Sequence, residues 1–325
     1  MNRPEIIKSY LEKYPNMSKL GLAKLICKKE GFNDVNNVRN SINWHTGSRG
    51  KKSQNKQNNK FEKPLTYNTN PYALPTSYEE KRVPYVLPKS CNKILFISDI
   101  HIPYHSVEST TLALAYAKKK GVNTILLGGD VLDFYQLSDH EKTAGKRDTA
   151  LEIELCKQFL GVLKEHFPEC KIFFKEGNHD LRLQRFLMRM APQLIGIPEF
   201  RLERLLGLQE LGIEWIGNKQ LIKAGKLNIL HGNEIKGGGE FVSKRFLDKA
   251  GDNILSGDKH RVQEFFKTDI NGSVHAAWNV GCLCELSPDY LPFTNNWMHG
   301  FAIIDIEESG EFTVENKKII NGKVL

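Results

Sequence analysis

The sequence predicts an α/β domain preceded by a small all-α module of three helices. Three observations predict it. From residue 93 onward short apolar runs recur, and each stops at an Asp, Asn or His. The first 46 residues instead space their apolar side chains as helices do. Charge also divides the chain: residues 1–92 hold 17 Lys+Arg against 7 Asp+Glu, a net +10, while the remainder holds 29 against 31, a net −2. An anionic partner is therefore expected to meet the N-terminal part, separate from the α/β part. A chain of 325 residues has room for one large domain and a small one. It contains no apolar run of about 18 residues, so no membrane span is expected. Met1-Asn2-Arg3-Pro4-Glu5 lacks the apolar core of a signal peptide, which predicts an intracellular, cytoplasmic protein. The six cysteines then read as free thiols, and Cys282-Leu283-Cys284 as packed thiols, too closely spaced for a zinc ribbon.

Residues 1–46 are expected to form a helix-turn-helix-like module. Ile6, Ile7, Tyr10 and Leu11 share a helical face after Pro4, and Pro15-Asn16 breaks that helix. Ser18 can cap a second helix bearing Leu20, Leu22, Ala23, Leu25 and Ile26, ending near Gly31. Asn33 or Asp34 can cap a third through Val35, Val38, Ile42 and Trp44. The third helix would present Asn36, Asn37, Arg39 and Asn40, side chains able to bond base edges or phosphate. A protein-contact module is the alternative. Residues 47–92 read as a linker. Its first part, 47–63, has one apolar residue and six positive charges and cannot bury enough surface to fold. Lys51 and Lys52 there can track a phosphate backbone, although a plain soluble tether fits equally well. Residues 64–88 carry five prolines and read as extended chain packed on the next domain.

Residues 93–325 make up the large domain. The first strand, Lys93–Ile97, leads to Asp99 and His101, whose i, i+2 spacing lets both reach one metal ion. Strands beginning at Thr124 and Lys171 lead to Gly129-Asp130 and Gly177-Asn178-His179-Asp180, with Gly permitting close backbone approach. A fourth, from Leu227, ends at His231, and a fifth, from Asn253, at Asp258 and His260. Sites in open α/β sheets form beyond the carboxyl ends of strands, so five such ends suggest one site. Helices are expected at about 107–120, 148–166, 181–190 and 241–249, with Arg182 and Arg185 in the first turns of the third, where they can grip phosphate or simply face solvent. Lys236-Gly237-Gly238-Gly239-Glu240 lacks the Gly-Lys-Ser/Thr ending of a phosphate-binding loop. Further strands are expected at 276–281 and 300–306.

In this order the motifs resemble the calcineurin-like metallophosphoesterase superfamily, over about residues 93–306. They stand here as Asp99-x-His101, Gly129-Asp130-x-x-Asp133, Gly177-Asn178-His179-Asp180, His231 and Gly257-Asp258-x-His260. Four of the five blocks are intact; Asp258 stands where the family usually has His. The resemblance implies a four-layer α-β-β-α sandwich and two divalent metal ions, Mn²⁺ favoured over Mg²⁺, Zn²⁺ or Fe. One ion would take Asp99, His101, Asp130 and His260; the other Asp130, Asn178, His231 and Asp258. It also implies His179 as the general acid and Asp133 as an orienting residue. Asn279-Val280-Gly281-Cys282 is similar to the family's Asn-x-Gly-Ser turn. Tyr290, Trp297 and His299 follow it and can line a substrate groove or serve packing. Asp258 adds a negative charge that His would not, which predicts a more neutral centre. The implied reaction is phosphoester hydrolysis. The basic N-terminal region favours a phosphodiesterase or nuclease acting on nucleic acid. The alternatives are a phosphomonoesterase on phosphoprotein or nucleotides, and a DNA-binding protein with a weakened metal site.

Overall fold

The computed structural model describes residues 2–46, 70, 72–75, 77–79, 82–139, 148–237, 239–288, 291, 293 and 295–325. Lys51, Lys52 and Tyr290 lie outside the described residues. The chain divides into two compact units, Met1–Glu79 and Glu80–Leu325.

The first unit holds helices α1 (Arg3–Lys13), α2 (Lys19–Glu30) and α3 (Val35–His45). Each begins at a side-chain cap that satisfies an otherwise orphaned backbone N–H. Asn2 and Glu5 form a reciprocal capping box on α1. Ser18 Oγ accepts from Gly21 N at 3.2 Å on α2. On α3, Asp34 rather than Asn33 is the cap, accepting from Asn37 N at 3.0 Å. Gly31 ends α2 with φ 73°, the left-handed conformation that glycine adopts without a Cβ penalty. Ile7, Leu22, Ala23, Ile26, Val38 and Ile42 form the core. Leu20 and Trp44 stay outside it, 41% and 59% exposed, because helical spacing alone does not decide which apolar face turns inward. Asn36, Asn37, Arg39 and Asn40 are all exposed on α3.

The second unit is built on two mixed sheets. One has the strand order β1 (Tyr85–Val86), β6 (Ile222–Ala224), β7 (Leu227–Ile229), β8 (Ile254–Ser256), β10 (Val274–Asn279) and β9 (Gln263–Thr268). The other runs β13 (Lys323–Val324), β12 (Phe312–Ile320), β11 (His299–Ile306), β2 (Lys93–Ile97), β3 (Thr124–Leu127), β4 (Lys171–Lys175) and β5 (Ile213–Ile216). Tyr85–Val86, in the stretch expected as linker, pairs in parallel with β6. Alternation along β2 splits its side chains between two cores. Ile94 and Phe96 face the other sheet, meeting Ala224, Leu227, Leu255 and Trp278. Leu95 and Ile97 face helices α4 (Val107–Lys120) and α5 (Thr149–His166), meeting Ala113, Ala117, Cys156 and Leu160. The outer face of the first sheet is covered by Val242, Phe246 and Leu247 of a further helix, Val242–Ala250, packed on Ile254 and Ala277. The layers are thus α-β-β-α. Two shorter helices, α6 (Arg182–Met190) and α7 (Leu202–Leu205), lie between β4 and β5 in sequence, which makes Val242–Ala250 helix α8. Among the described residues no helix is long and apolar enough to cross a membrane.

Among the described residues the three-helix unit buries six apolar side chains in its core. Ile26→Ala should cost about 2–5 kcal/mol, which rivals the whole contribution of so small a core. Hydrogen exchange should then show amide protection lost across residues 3–45.

Candidate active site

Strands β2, β3 and β4 are parallel neighbours in one sheet, and β7 and β8 are parallel neighbours in the other. Their carboxyl ends carry Asp99 and His101, Asp130, Asn178 and His179, His231, and Asp258 and His260. Donor atoms of Asp99, Asp130 and His231 lie within 4.8 Å of one another. So do those of His101, Asp130 and His179, and those of His101, His260 and Cys284. The five strand ends therefore meet at one place, but they come from two sheets, not one.

The turns that deliver these side chains are strained. Asp99, His101, Asp130, Asp258 and His260 have φ between 52° and 63°, the left-handed region that costs a non-glycine residue about 1–3 kcal/mol. Interlocking backbone bonds hold them there. Asp99 N donates to Gly129 O at 3.0 Å and His101 N to Asp130 O at 3.0 Å. Asp258 N donates to Asp99 Oδ2 at 2.9 Å. Packing is equally close at Gly177, where a Cβ would stand 2.2 Å from Asp130 Oδ1. That contact explains a glycine immediately before Asn178.

Each histidine expected as a ligand has its Nδ1 engaged from behind. His231 Nδ1 donates to Gly128 O at 2.9 Å. His101 Nδ1 lies 3.0 Å from Asp133 Oδ1. His260 Nδ1 is 4.0 Å from Cys284 Sγ. The three Nε2 atoms consequently face the carboxylates. His260 Nε2 is 3.2 Å from Asp99 Oδ1, and His231 Nε2 is 3.2 Å from Asp130 Oδ2 and 3.7 Å from Asp258 Oδ1. His101 Nε2 is 4.0 Å from both Asp99 Oδ1 and Asp130 Oδ2. Burial opposes charging any of these groups, but their mutual attraction prevails. His231 and His179 hold Asp130 well below the usual carboxylate range. The Asp133 hydrogen bond takes His101 up to about 10, and Asp99 takes His260 up to about 9.

His179 is arranged differently. Its backbone N donates to Asp130 Oδ1 at 2.7 Å, and its Nδ1 lies 3.1 Å from Asp133 Oδ1. Its Nε2 is 3.1 Å from Arg182 Nη2 and 3.9 Å from Asp130 Oδ2. Burial lowers its pKa, and Arg182 pushes in the same direction. Asp133 thus orients two imidazoles at once and also accepts, through its carbonyl, from Arg182 Nη1 at 2.7 Å.

Asp258 approaches His231, as a ligand would, and its other oxygen pairs with Lys259 Nζ. The added negative charge expected of Asp258 is therefore offset locally by a cation. Trp297 stacks edge-on to the His260 ring with centroids 4.1 Å apart. With Tyr104 and Tyr135 it lines a cavity of about 210 Å³ that opens on His101 and His260. His299 belongs to packing: Nδ1 is 2.7 Å from Ser109 Oγ and Nε2 2.8 Å from Cys284 O.

Several supporting residues gave no separate signal in the sequence. Asp180 is buried and accepts from Asp130 N, Val131 N, Leu132 N and Gly177 N at 2.8–3.1 Å. Buried Lys175 pairs with Glu234 at 3.0 Å, and Glu234 accepts from Gly232 N, so the end of β4 is tied to the His231 turn. Asn279 donates to Gly257 O at 2.7 Å and to Ser256 O at 3.3 Å, holding the turn that presents Asp258. Cys284 backs His260 instead of merely filling space. Asp180 and Asn279 sat inside recognised motifs; the roles of Lys175, Glu234 and Cys284 are revealed by their contacts alone.

The sequence profile of the calcineurin-like phosphoesterase family (Metallophos) matches residues 92–292. Among solved structures the chain is similar to Vacuolar Protein Sorting 29 from Cryptosporidium parvum, at 16% identity over 70% of this chain and 97% of that one, with a TM-score of 0.36. It is also similar to Vps29 from Chaetomium thermophilum (15%, 72% and 95%, TM-score 0.39). Yfce, a phosphoesterase from E. coli, is a third (14%, 69% and 98%, TM-score 0.33). No curated protein matches the chain.

Asp180→Ala should leave four buried N–H groups without their acceptor, at about 1–3 kcal/mol each if none relaxes. We expect a loss of several kcal/mol in chemical denaturation and release of the Asp130 turn, seen as reduced metal stoichiometry. A variant with parental stability and full metal loading would show that the turns hold themselves.

Proposed function

The chain belongs to the calcineurin-like phosphoesterase family, and on that premise we propose a phosphodiesterase, or nuclease, that acts on nucleic acid. The observation that carries the hydrolytic part is a set of buried atoms: among the described residues His101 Nε2 and Asn178 Oδ1 make no hydrogen bond, and Asp99 Oδ1 and His231 Nε2 face other expected ligands, His260 Nε2 and Asp130 Oδ2, each at 3.2 Å. Buried polar atoms left unpaired are costly and rare. Here they converge from separate strands in an oxygen-and-imidazole set suited to divalent cations. On this reading Asp99, His101, Asp130 and His260 would hold one such ion, and Asp130, Asn178, His231 and Asp258 the other. Mn²⁺ is the favoured species, with Mg²⁺, Zn²⁺ and Fe as alternatives. When bound, such ions supply Lewis acidity to the phosphate and to the attacking water.

The protein's own groups do the rest. Asp133 fixes the tautomers of His101 and His179 through their Nδ1 atoms. With Asp133 on Nδ1 and Arg182 donating to Nε2, His179 is a neutral imidazole whose Nε2 carries no proton. Once the substrate phosphate offers Arg182 a better acceptor, Nε2 is free to take a proton from water, and the imidazolium passes that proton to the departing oxygen. Support for a nucleic-acid substrate comes from the N-terminal charge excess of +10 and from the exposed Arg39 and asparagines of α3. Lys51 and Lys52 would extend that contact. The phosphomonoesterase alternative shares the same centre and differs only in substrate.

A panel of single- and double-stranded DNA, RNA, a generic diester and a generic monoester, each with Mn²⁺, tests the reading. Diester and nucleic-acid cleavage that stops on chelation is expected. Cleavage of the monoester alone would select the alternative, and activity that survives exhaustive chelation would remove the metal chemistry altogether.

His179→Ala should lower kcat about 10²–10⁴-fold on esters with poor leaving groups. On nitrophenyl esters, whose leaving group needs no proton, the loss should be much smaller. Equal losses would make His179 a positioning residue.

Deleting residues 1–63 should spare hydrolysis of a small diester, weaken DNA binding and flatten its salt dependence, since fewer counterions are released. Identical binding by the truncated chain at every salt concentration would assign the N-terminal region to another partner.

A further inference from the structure

Next to the metal-site candidates a second cavity, of about 190 Å³, is lined by Ser138, Asp139, Asn178, Arg182, Arg185 and Arg189. Far more room is available than one water needs. The three arginines recur at i, i+3 and i+7, so one helix face turns them all toward the same space. Two of the three are engaged: Arg182 with Asp133 and His179, and Arg189 with Asp139. Among the described residues the Arg185 guanidinium has no hydrogen bond or ion pair. In the cavity wall the three cations face one carboxylate, Asp139; Asp133 stands 3.9 Å from Arg182 Nη1, and the Arg185 charge also acts on Glu176. Ser138 provides an independent sign. It is 6% exposed, and among the described residues its Oγ is buried with no hydrogen-bond partner. A hydroxyl donor and guanidinium donors that share a cavity lack one thing, an acceptor-rich anion. Asn178 lines this cavity and also belongs to the metal-site set, so the two spaces adjoin.

We propose that this cavity is an anion subsite for a second phosphate group of the substrate, beside the phosphate undergoing hydrolysis. The proposal rests on the phosphoesterase reading above and adds a substrate class to it: esters carrying at least two phosphates. Arg185 is the principal contact, because it alone of the three arginines exchanges no existing partner for the ligand. Ser138 donates one hydrogen bond. Arg182 and Arg189 contribute field. A second phosphate has two possible sources, the neighbouring linkage of a nucleic-acid strand or the adjoining phosphate of a nucleotide. They share the same chemistry but differ in spacing from the first phosphate.

Calorimetric titration of the full chain with Mn²⁺ distinguishes them. The probes are thymidine 5′-monophosphate, thymidine 3′,5′-bisphosphate and thymidine 5′-(α,β-methylene)diphosphate. At least one two-phosphate probe should bind about 10-fold more tightly than the monophosphate, the gain of roughly one charge-assisted contact. In Arg185→Gln that advantage should fall below about 2-fold. Preference for the bisphosphate would indicate a strand, and preference for the diphosphate analogue a nucleotide. The proposal is overturned by three probes of equal affinity, or by an advantage that Arg185→Gln retains in full. Failure of the phosphoesterase reading would appear elsewhere, as absence of metal-dependent hydrolysis across the substrate panel.

Discussion

The buried carboxylate of Asp180 is the constraint on which the active centre depends. It accepts four backbone N–H groups, three from the Asp130–Leu132 turn after β3 and one from Gly177 after β4. Without it, two adjacent strand ends would each expose orphaned donors in a dry interior. With it, Asp130 is held in a left-handed conformation with its carboxylate among His101, His179 and His231. Burial and the neighbouring Asp130 charge push the Asp180 carboxyl up to about 7. The backbone donors of Leu132 and Gly177 pull the other way without offsetting it.

A second constraint is the meeting of two sheets. Parallel strands all point their carboxyl ends the same way, and here β2, β3 and β4 do so in one sheet and β7 and β8 in the other. The Ile94, Phe96, Leu227 and Leu255 core fixes the sheets face to face. The centre lies beyond that core. Buried bonds then lock the turns: Asp258 N to Asp99 Oδ2, Gly257 N to His231 O, and the Lys175–Glu234 pair between β4 and the His231 turn. Removing one partner of the Lys175–Glu234 pair would leave the other as an uncompensated charge, at a cost in stability. Rigid turns carry the cost of left-handed backbone at five site residues.

Electrostatics divides the surroundings of the centre into two kinds. On the His260 side lie Tyr104, Tyr135 and Trp297, suited to a flat apolar group. On the Asn178 side lie three arginines and a buried hydroxyl, suited to an anion. Both bear on which ester is chosen, because recognition away from the reacting atoms is where substrates of one chemistry differ.

Much of this was legible in the sequence, for a physical reason. Asp, His and Asn are polar residues that interrupt an apolar run, so the expected ligands Asp99, His101, Asp130, Asn178, His231, Asp258 and His260 stood out at the ends of such runs. Glycine before Asn178 was visible for a similar reason, since nothing larger fits against Asp130. Helix caps at Ser18 and Asp34 were local and equally readable. What tertiary structure decided is non-local. Only the fold brings Cys284 behind His260 and Lys175 under the His231 turn. Only the fold gathers Ser138 with Arg185 across 47 residues of chain. Sequence patterns report what each strand end offers; which ends face one another, and what stands behind them, is settled by packing between sheets that no local spacing encodes.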